Sequence, residues 1–218
     1  MTLLIRLLAA AFDLVVPRFC AGCRALGTRW CTACADATDG FLAVNRTTLE
    51  KGPPVHALAP YGGAARRFVI AYKDGRRELA PLMGDHFARG VLRLDLGPEV
   101  TLVPAPSRAA AARRRGGNHI ALAATHAARV LAGHQVAAHV VPALRVARGT
   151  RDSIGLGPAA RAANLRGALS VAVRPPPGAP VVLLDDVVTT GATLAASVAA
   201  LDRAGVRVAA AVSFTATV

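Results

Sequence analysis

Four apolar residues, Val181-Val182-Leu183-Leu184, run directly into two adjacent acids, Asp185 and Asp186, and on into Val187-Val188-Thr189-Thr190-Gly191-Ala192-Thr193. The chemistry this order can do is recognition of a phosphorylated ligand. A buried strand delivers acids at its carboxyl end, where open α/β sheets bind their ligands. A helix starting near Ala192 offers unpaired N–H groups and the positive end of its dipole, which suit a phosphate. Gly191 permits close backbone approach, while Thr189, Thr190 and Thr193 add hydroxyl donors. Two carboxylates beside a phosphate suit ribose hydroxyls or a hydrated Mg²⁺. A plain helix cap accounts for one Asp or one Thr, but not for two acids and three threonines behind a buried strand.

The second chemical cluster is the cysteines. All four lie in the pattern Cys20-x-x-Cys23 and Cys31-x-x-Cys34. Two such pairs seven residues apart place four thiolates within reach of one tetrahedral ion, and Gly22 is expected to ease one chain reversal. A closed four-sulfur site of this kind is structural zinc. Two disulfides are the alternative, and they belong to an oxidising compartment. A redox pair needs one CxxC opening a helix after a strand, which two adjacent pairs do not resemble.

Charge adds a third feature. The chain of 218 residues carries a net charge of +13, and only Lys51 and Lys73 of its 26 basic residues are lysines. From Val100 to Arg151 there are eight arginines and no acid, with Arg113, Arg114 and Arg115 consecutive before Gly116-Gly117. Such a segment reads as a loop facing phosphate or as a solvated basic face. Lys73 after Tyr72 is a further candidate phosphate contact. His56, His86, His126, His134 and His139 lack metal spacing to the cysteines and read as packing or surface residues.

The elements that must position these groups follow from pattern. Hydrophobic residues make up 53% and charged residues 18%, with mean hydropathy +0.41, which excludes a disordered chain. Aromatics at 4% mean a core of Ala, Val and Leu. Strands are expected at Val55–Tyr61, Val100–Val103, from Val140, Leu169–Val173, Val181–Leu184 and Val206–Phe214. Helices are expected at Ala64–Tyr72 with Arg66 and Arg67 outward, and at Glu78–Val91, Asn118–Leu131, Ala159–Leu165 and Ala192–Ala204. Alternation of helices with short apolar strands predicts an α/β fold with a mostly parallel sheet covered on both faces. Residues 1–16 read as an amphipathic helix, since Asp13 interrupts the apolar run and Pro17-Arg18-Phe19 is unlike a cleavage site. The run is too short and charged for a membrane span. The expected organisation is 1–16 helix, 17–40 four-cysteine module and 41–218 α/β domain, in a cytoplasmic protein without membrane insertion.

The Val181–Thr193 stretch resembles the 5-phosphoribosyl 1-pyrophosphate (PRPP) signature of the type I phosphoribosyltransferases. Tyr72-Lys73-x-Gly75, Val103-Pro104-Ala105-Pro106-Ser107, Arg115-Gly116-x-Asn118 and Arg161-x-x-Asn164-Leu165 follow the cysteine module in that order. Together they resemble the ComF family of competence-associated, phosphoribosyltransferase-like proteins with an N-terminal zinc ribbon, from about Leu14 to Phe214. The resemblance implies that Asp185 and Asp186 contact the ribose 2′- and 3′-hydroxyls and that the loop Val187 to Thr193 cradles the 5′-phosphate. It further implies that Pro104, Ala105, Pro106, Ser107 and Arg108 form the pyrophosphate turn and that Arg115 lies in a catalytic loop closing over it, with Mg²⁺ bound alongside PRPP. Departures are Gly117 where an aromatic is usual, His119 where Gln is common, Thr150-Arg151-Asp152-Ser153 in place of Thr-x-x-Gln, and Leu169 for Phe.

Two functions follow as expectations. One is phosphoribosyl transfer from PRPP to an unidentified base or amine acceptor. The other is a non-catalytic protein of DNA uptake, with single-stranded DNA or competence-machinery proteins as partners, in which the domain senses PRPP or grips phosphate.

Overall fold

The structure is a computed structural model that describes residues 18–106, 117–146 and 168–217. The expected N-terminal helix at 1–16, the helix Ala159–Leu165, Arg161, Asn164, Ser107, Arg108 and the Arg113–Arg115 run lie outside the described residues.

After the cysteine module and its short helix α1 (Thr32–Asp36), strands β1 (Leu42–Ala43) and β2 (Val55–Pro60) lead to helices α2 (Gly63–Lys73) and α3 (Ala80–Leu92). Then come β3 (Glu99–Pro104), α4 (His119–Gly133), β4 (Ala137–Val140), β5 (Leu144–Val146), β6 (Leu169–Val171), β7 (Val181–Val188), α5 (Ala192–Arg203) and β8 (Val208–Ala216). The main sheet has the order β1-β2-β8-β7-β3-β4, parallel except for β1. The expected mixed α/β fold with a mostly parallel sheet is present. The Leu169 strand does not join it, because β6 pairs antiparallel with β5 in a separate two-stranded ribbon.

Both faces are covered, as a parallel sheet requires. On one face α2, α3 and α4 bury Phe68, Tyr72, Phe87, Leu102, Val182, Leu184 and Phe214. On the other, α5 and the β5–β6 ribbon bury Val103, Val181, Leu183, Leu194 and Leu201. The few aromatics are concentrated on the first face, and small residues do the rest. A Cβ on Gly84 of α3 would stand 2.5 Å from His126 Cβ and 2.8 Å from the Ala123 carbonyl of α4, so a side chain there would force the two helices apart.

Chain order fixes where a ligand crevice can lie. From β3 the chain steps outward to β4, then returns to the other side of β3 as β7 and continues to β8. That reversal is a topological switch point, and crevices open there at the carboxyl ends of the strands. The residues at those ends are Pro104 of β3 with Ala105 just after it, and Asp185–Val188 of β7; Ala105 N–H donates to the Leu184 carbonyl at 2.7 Å.

Candidate metal centre and candidate ligand crevice

The four cysteines converge. Their Sγ atoms all lie within 4.8 Å of one another, with Cys20 to Cys31 at 3.8 Å and Cys23 to Cys31 at 3.5 Å. A tetrahedral zinc with Zn–S of about 2.3 Å sets its sulfurs roughly 3.8 Å apart, so the cluster can hold a metal such as zinc. A disulfide needs about 2.0 Å, and all four cysteines are free. Two turns shape the cluster: Gly22 N–H and Cys31 N–H both point at Cys20 Sγ, each at 3.4 Å, and Cys31 precedes α1, which carries Cys34. Burial opposes the Cys20 thiolate, but the backbone N–H groups of Cys23, Cys31 and Gly22 prevail and lower the thiol to about 6, while burial and the neighbouring sulfurs push Cys34 up. The left-handed residue of the first turn is Arg24, φ 67°, rather than Gly22. Gly22 is required for space instead, since a Cβ there would meet Cys34 Sγ and the Trp30 ring, each at 2.6 Å.

The module is docked on the α/β core. Trp30 packs edge-on against Phe68 at 4.8 Å. Arg67, expected to face outward, donates its Nε to the Gly22 carbonyl. Arg89 Nη2 donates to His86 Nδ1 at 2.8 Å, which leaves His86 Nε2–H for Thr38 Oγ1 at 3.5 Å, and Thr38 in turn donates to the Cys34 carbonyl at 2.9 Å. Burial, aided by the Arg89 charge, drops the His86 pKa to about 3 and keeps the ring neutral.

In the crevice the two acids part company. The apolar run predicts a strand ending at Leu184, but β7 continues to Val188 because β8 pairs with it throughout that length. Asp185 and Asp186 are therefore strand residues and point to opposite faces. Asp185 continues the side of Val181 and Leu183 and lines a recess of about 30 Å³ with Val187, Val188, Thr189, Thr190, Gly191, Ala192 and Thr193. Asp186 continues the side of Val182 and Leu184. There Lys73 Nζ reaches its Oδ1 at 2.9 Å and His119 Nε2 donates to its Oδ2 at 2.5 Å. Burial and the Asp186 charge raise the Asp185 pKa. Burial opposes ionisation of Asp186 too, but the His119 hydrogen bond and the Lys73 charge prevail and hold it low.

Several contacts that position the site were not legible in the sequence. Tyr72 donates its hydroxyl to the His119 carbonyl at 2.6 Å, and burial keeps that phenol protonated. Asn118 caps α4, its Oδ1 accepting Ile120 N–H, and its Nδ2 donates to the Ala105 carbonyl at 3.0 Å. This ties the turn after β3 to the helix that carries His119. His119 Nδ1 is buried with no hydrogen-bond partner among the described residues, beside a small pocket lined by Tyr72, Arg77 and Asn118. Gly191 precedes α5 with φ 76°, a left-handed turn that favours glycine.

The structure thus brings Asp185 together with Thr189–Thr193, places Pro104, Ala105 and Pro106 at the adjoining strand end, and gives Lys73 to Asp186. Two larger grooves, of about 410 and 610 Å³, are lined by residues within 43–56 and by residues within 174–181 and 205–207, and neither acid lines them. Among the described residues no helix is long and apolar enough to cross a membrane. No protein-family model matches the chain, and no curated protein matches it.

Proposed function

We propose that the crevice binds PRPP and that the chain is a phosphoribosyltransferase of the type I, ComF-like kind, transferring phosphoribosyl to an unidentified nitrogen acceptor. The observation that carries this reading is Asp185 at the switch point of a parallel sheet, sharing one recess with the Thr189–Thr193 loop and the start of α5. A 5′-phosphate seated on the loop meets the N–H groups that open α5, which have no intrahelical acceptor. The ribose hydroxyls then face the acids. Asp185, whose Oδ1 accepts the Asp186 N–H at 2.9 Å, is the acid left to take them, since Asp186 already holds Lys73 and His119.

Mg²⁺ entering with the pyrophosphate fits this donor set, because a cation relieves the charge of a buried carboxylate that stands against another carboxylate. It supplies charge neutralisation of the leaving group as C1′ gains oxocarbenium character. The protein's part is to hold the ribose and exclude water. The four cysteines hold structural zinc, as four protein ligands leave no open position for chemistry.

A second reading, a nucleic-acid-binding competence protein, is favoured by one feature: Phe19 and Leu26 are exposed on the module, with Arg24 lying 5.8 Å over the Phe19 ring. Calorimetric titration separates the two. The wild-type protein is expected to bind PRPP with Mg²⁺, and Asp185→Asn to bind it roughly 10- to 100-fold more weakly, the worth of one or two charged hydrogen bonds. Equal affinity in the variant removes the site from this crevice. Binding of single-stranded DNA with none of PRPP selects the second reading.

A further inference from the structure

The Thr189–Thr193 loop has a back as well as a front. Its back is covered by the segment joining β1 to β2, residues 44–50, which includes a 3₁₀ turn at Thr47–Leu49. Arg46 spreads its guanidinium over three carbonyls: Nε donates to Thr189 O at 2.9 Å, Nη1 to Asn45 O at 2.8 Å, and Nη2 to Thr217 O. Thr48 Oγ1 donates to Thr190 O. Leu49 is buried against Gly191, where a Cβ would come within 2.7 Å of its side chain and 2.8 Å of Thr48 Oγ1.

We propose that Arg46 and Thr48 are positioning residues that aim the loop's amides at the anion. The warrant is peptide planarity. In a trans peptide the carbonyl of one residue and the N–H of the next point in opposite directions within one plane. Holding Thr189 O toward Arg46 therefore turns Thr190 N–H away from the strap, and holding Thr190 O toward Thr48 does the same for Gly191 N–H. Both amides belong to the stretch that lines the Asp185 recess. A free loop would lose much of this orientation, because Gly191 samples many conformations; the strap settles that entropy before the ligand arrives. The inference rests on the anion-binding reading of the loop given above, and it adds which residues make the site rigid.

The test compares Thr48→Val, which keeps the shape and removes the donor, with Thr48→Ser, which keeps the donor, and adds Arg46→Lys, which keeps the charge and removes the fork. The probes are inorganic phosphate and ribose 5-phosphate by calorimetry, together with amide hydrogen exchange of residues 189–193 and thermal unfolding. Thr48→Val and Arg46→Lys are expected to bind both probes about 3- to 10-fold more weakly, the scale of one hydrogen bond. Exchange at Thr190 and Gly191 should quicken while exchange in β7 stays unchanged, and Thr48→Ser should restore wild-type values. Wild-type affinity and exchange in Thr48→Val, or a Thr48→Ser variant as impaired as Thr48→Val, overturns the proposal. Failure of the wild-type protein to bind either probe, with the exchange contrast intact, dismisses the anion reading and leaves the orienting role of the strap standing.

Discussion

In the four-cysteine module every sulfur comes from the stretch between Cys20 and Cys34, and the backbone N–H groups aimed at Cys20 come from that stretch too. In the crevice the charged groups arrive from distant parts of the chain: Lys73 ends α2, His119 opens α4, and both meet Asp186 in β7. The module is closed by local turns and needs only an ion to complete it. The crevice exists only after a sheet and two helices have packed. The relay Arg89 to His86 to Thr38 to the Cys34 carbonyl ties the module to α3 of the core, beside the Trp30–Phe68 and Arg67–Gly22 contacts. The difference teaches that the two should fail differently, and three experiments test whether they do.

The largest effect belongs to the metal. Purified protein is expected to contain about one zinc per chain, read by elemental analysis. Chelation, or Cys31→Ser, removes a binding free energy on the order of 10 kcal/mol. Trp30 is the only tryptophan and packs on Phe68, so its fluorescence reports loss of module packing directly. Amides of the module should lose exchange protection while those of β7 and β8 keep theirs. Two disulfides in the native protein, or simultaneous loss of protection in both regions, breaks the comparison.

The same contrast explains what the sequence could tell. Cysteine spacing exposes the module because its geometry is local, and the run Val181–Thr193 marks the crevice because strand, acids, loop and helix start follow one another. The division of labour between Asp185 and Asp186 was hidden. It depends on the strand reaching Val188, which the polar residues conceal and which pairing with β8 imposes. Lys73 was legible as a cation near phosphate, but its place on Asp186 comes from the packing of α2. His119 stood out only as the residue where Gln is common beside the Arg115-Gly116-x-Asn118 motif, and its place on Asp186 comes from the packing of α4 against β7. Arg46 and Thr48 carried none, being more than 140 residues from the loop carbonyls they hold.

The second effect separates the two acids within the crevice. Asp186→Asn removes the charge that Lys73 and His119 both engage. It should destabilise by about 2–3 kcal/mol in urea unfolding, less than a fully buried pair because Lys73 is 38% exposed. Asp185→Asn removes a carboxylate disfavoured by burial and by its neighbour, and should leave stability within about 1 kcal/mol of wild type or raise it. A larger stability loss for Asp185→Asn than for Asp186→Asn reverses the assignment and returns both acids to one role.

The smallest effect tests the relay between the regions. His86 titrates at about 3 in the folded protein against 6.5 as its ordinary value, because burial and Arg89 oppose its charge. Between these values the unfolded chain binds the extra proton. The stability that depends on neutral His86 is therefore complete above pH 6.5 and falls as pH drops toward 3. From about pH 7.5 to 5 the loss should be about 2 kcal/mol. Asp185, raised by burial and the Asp186 charge, titrates in the opposite sense, so the His86 share must be read as a difference. His86→Gln keeps a donor and an acceptor for Thr38 and Arg89 and cannot titrate. Thermal unfolding of both proteins across this range should show wild type losing about 2 kcal/mol more than the variant on acidification. Parallel pH profiles mean that His86 is not held neutral at the joint, and that the module does not rest on the core through it.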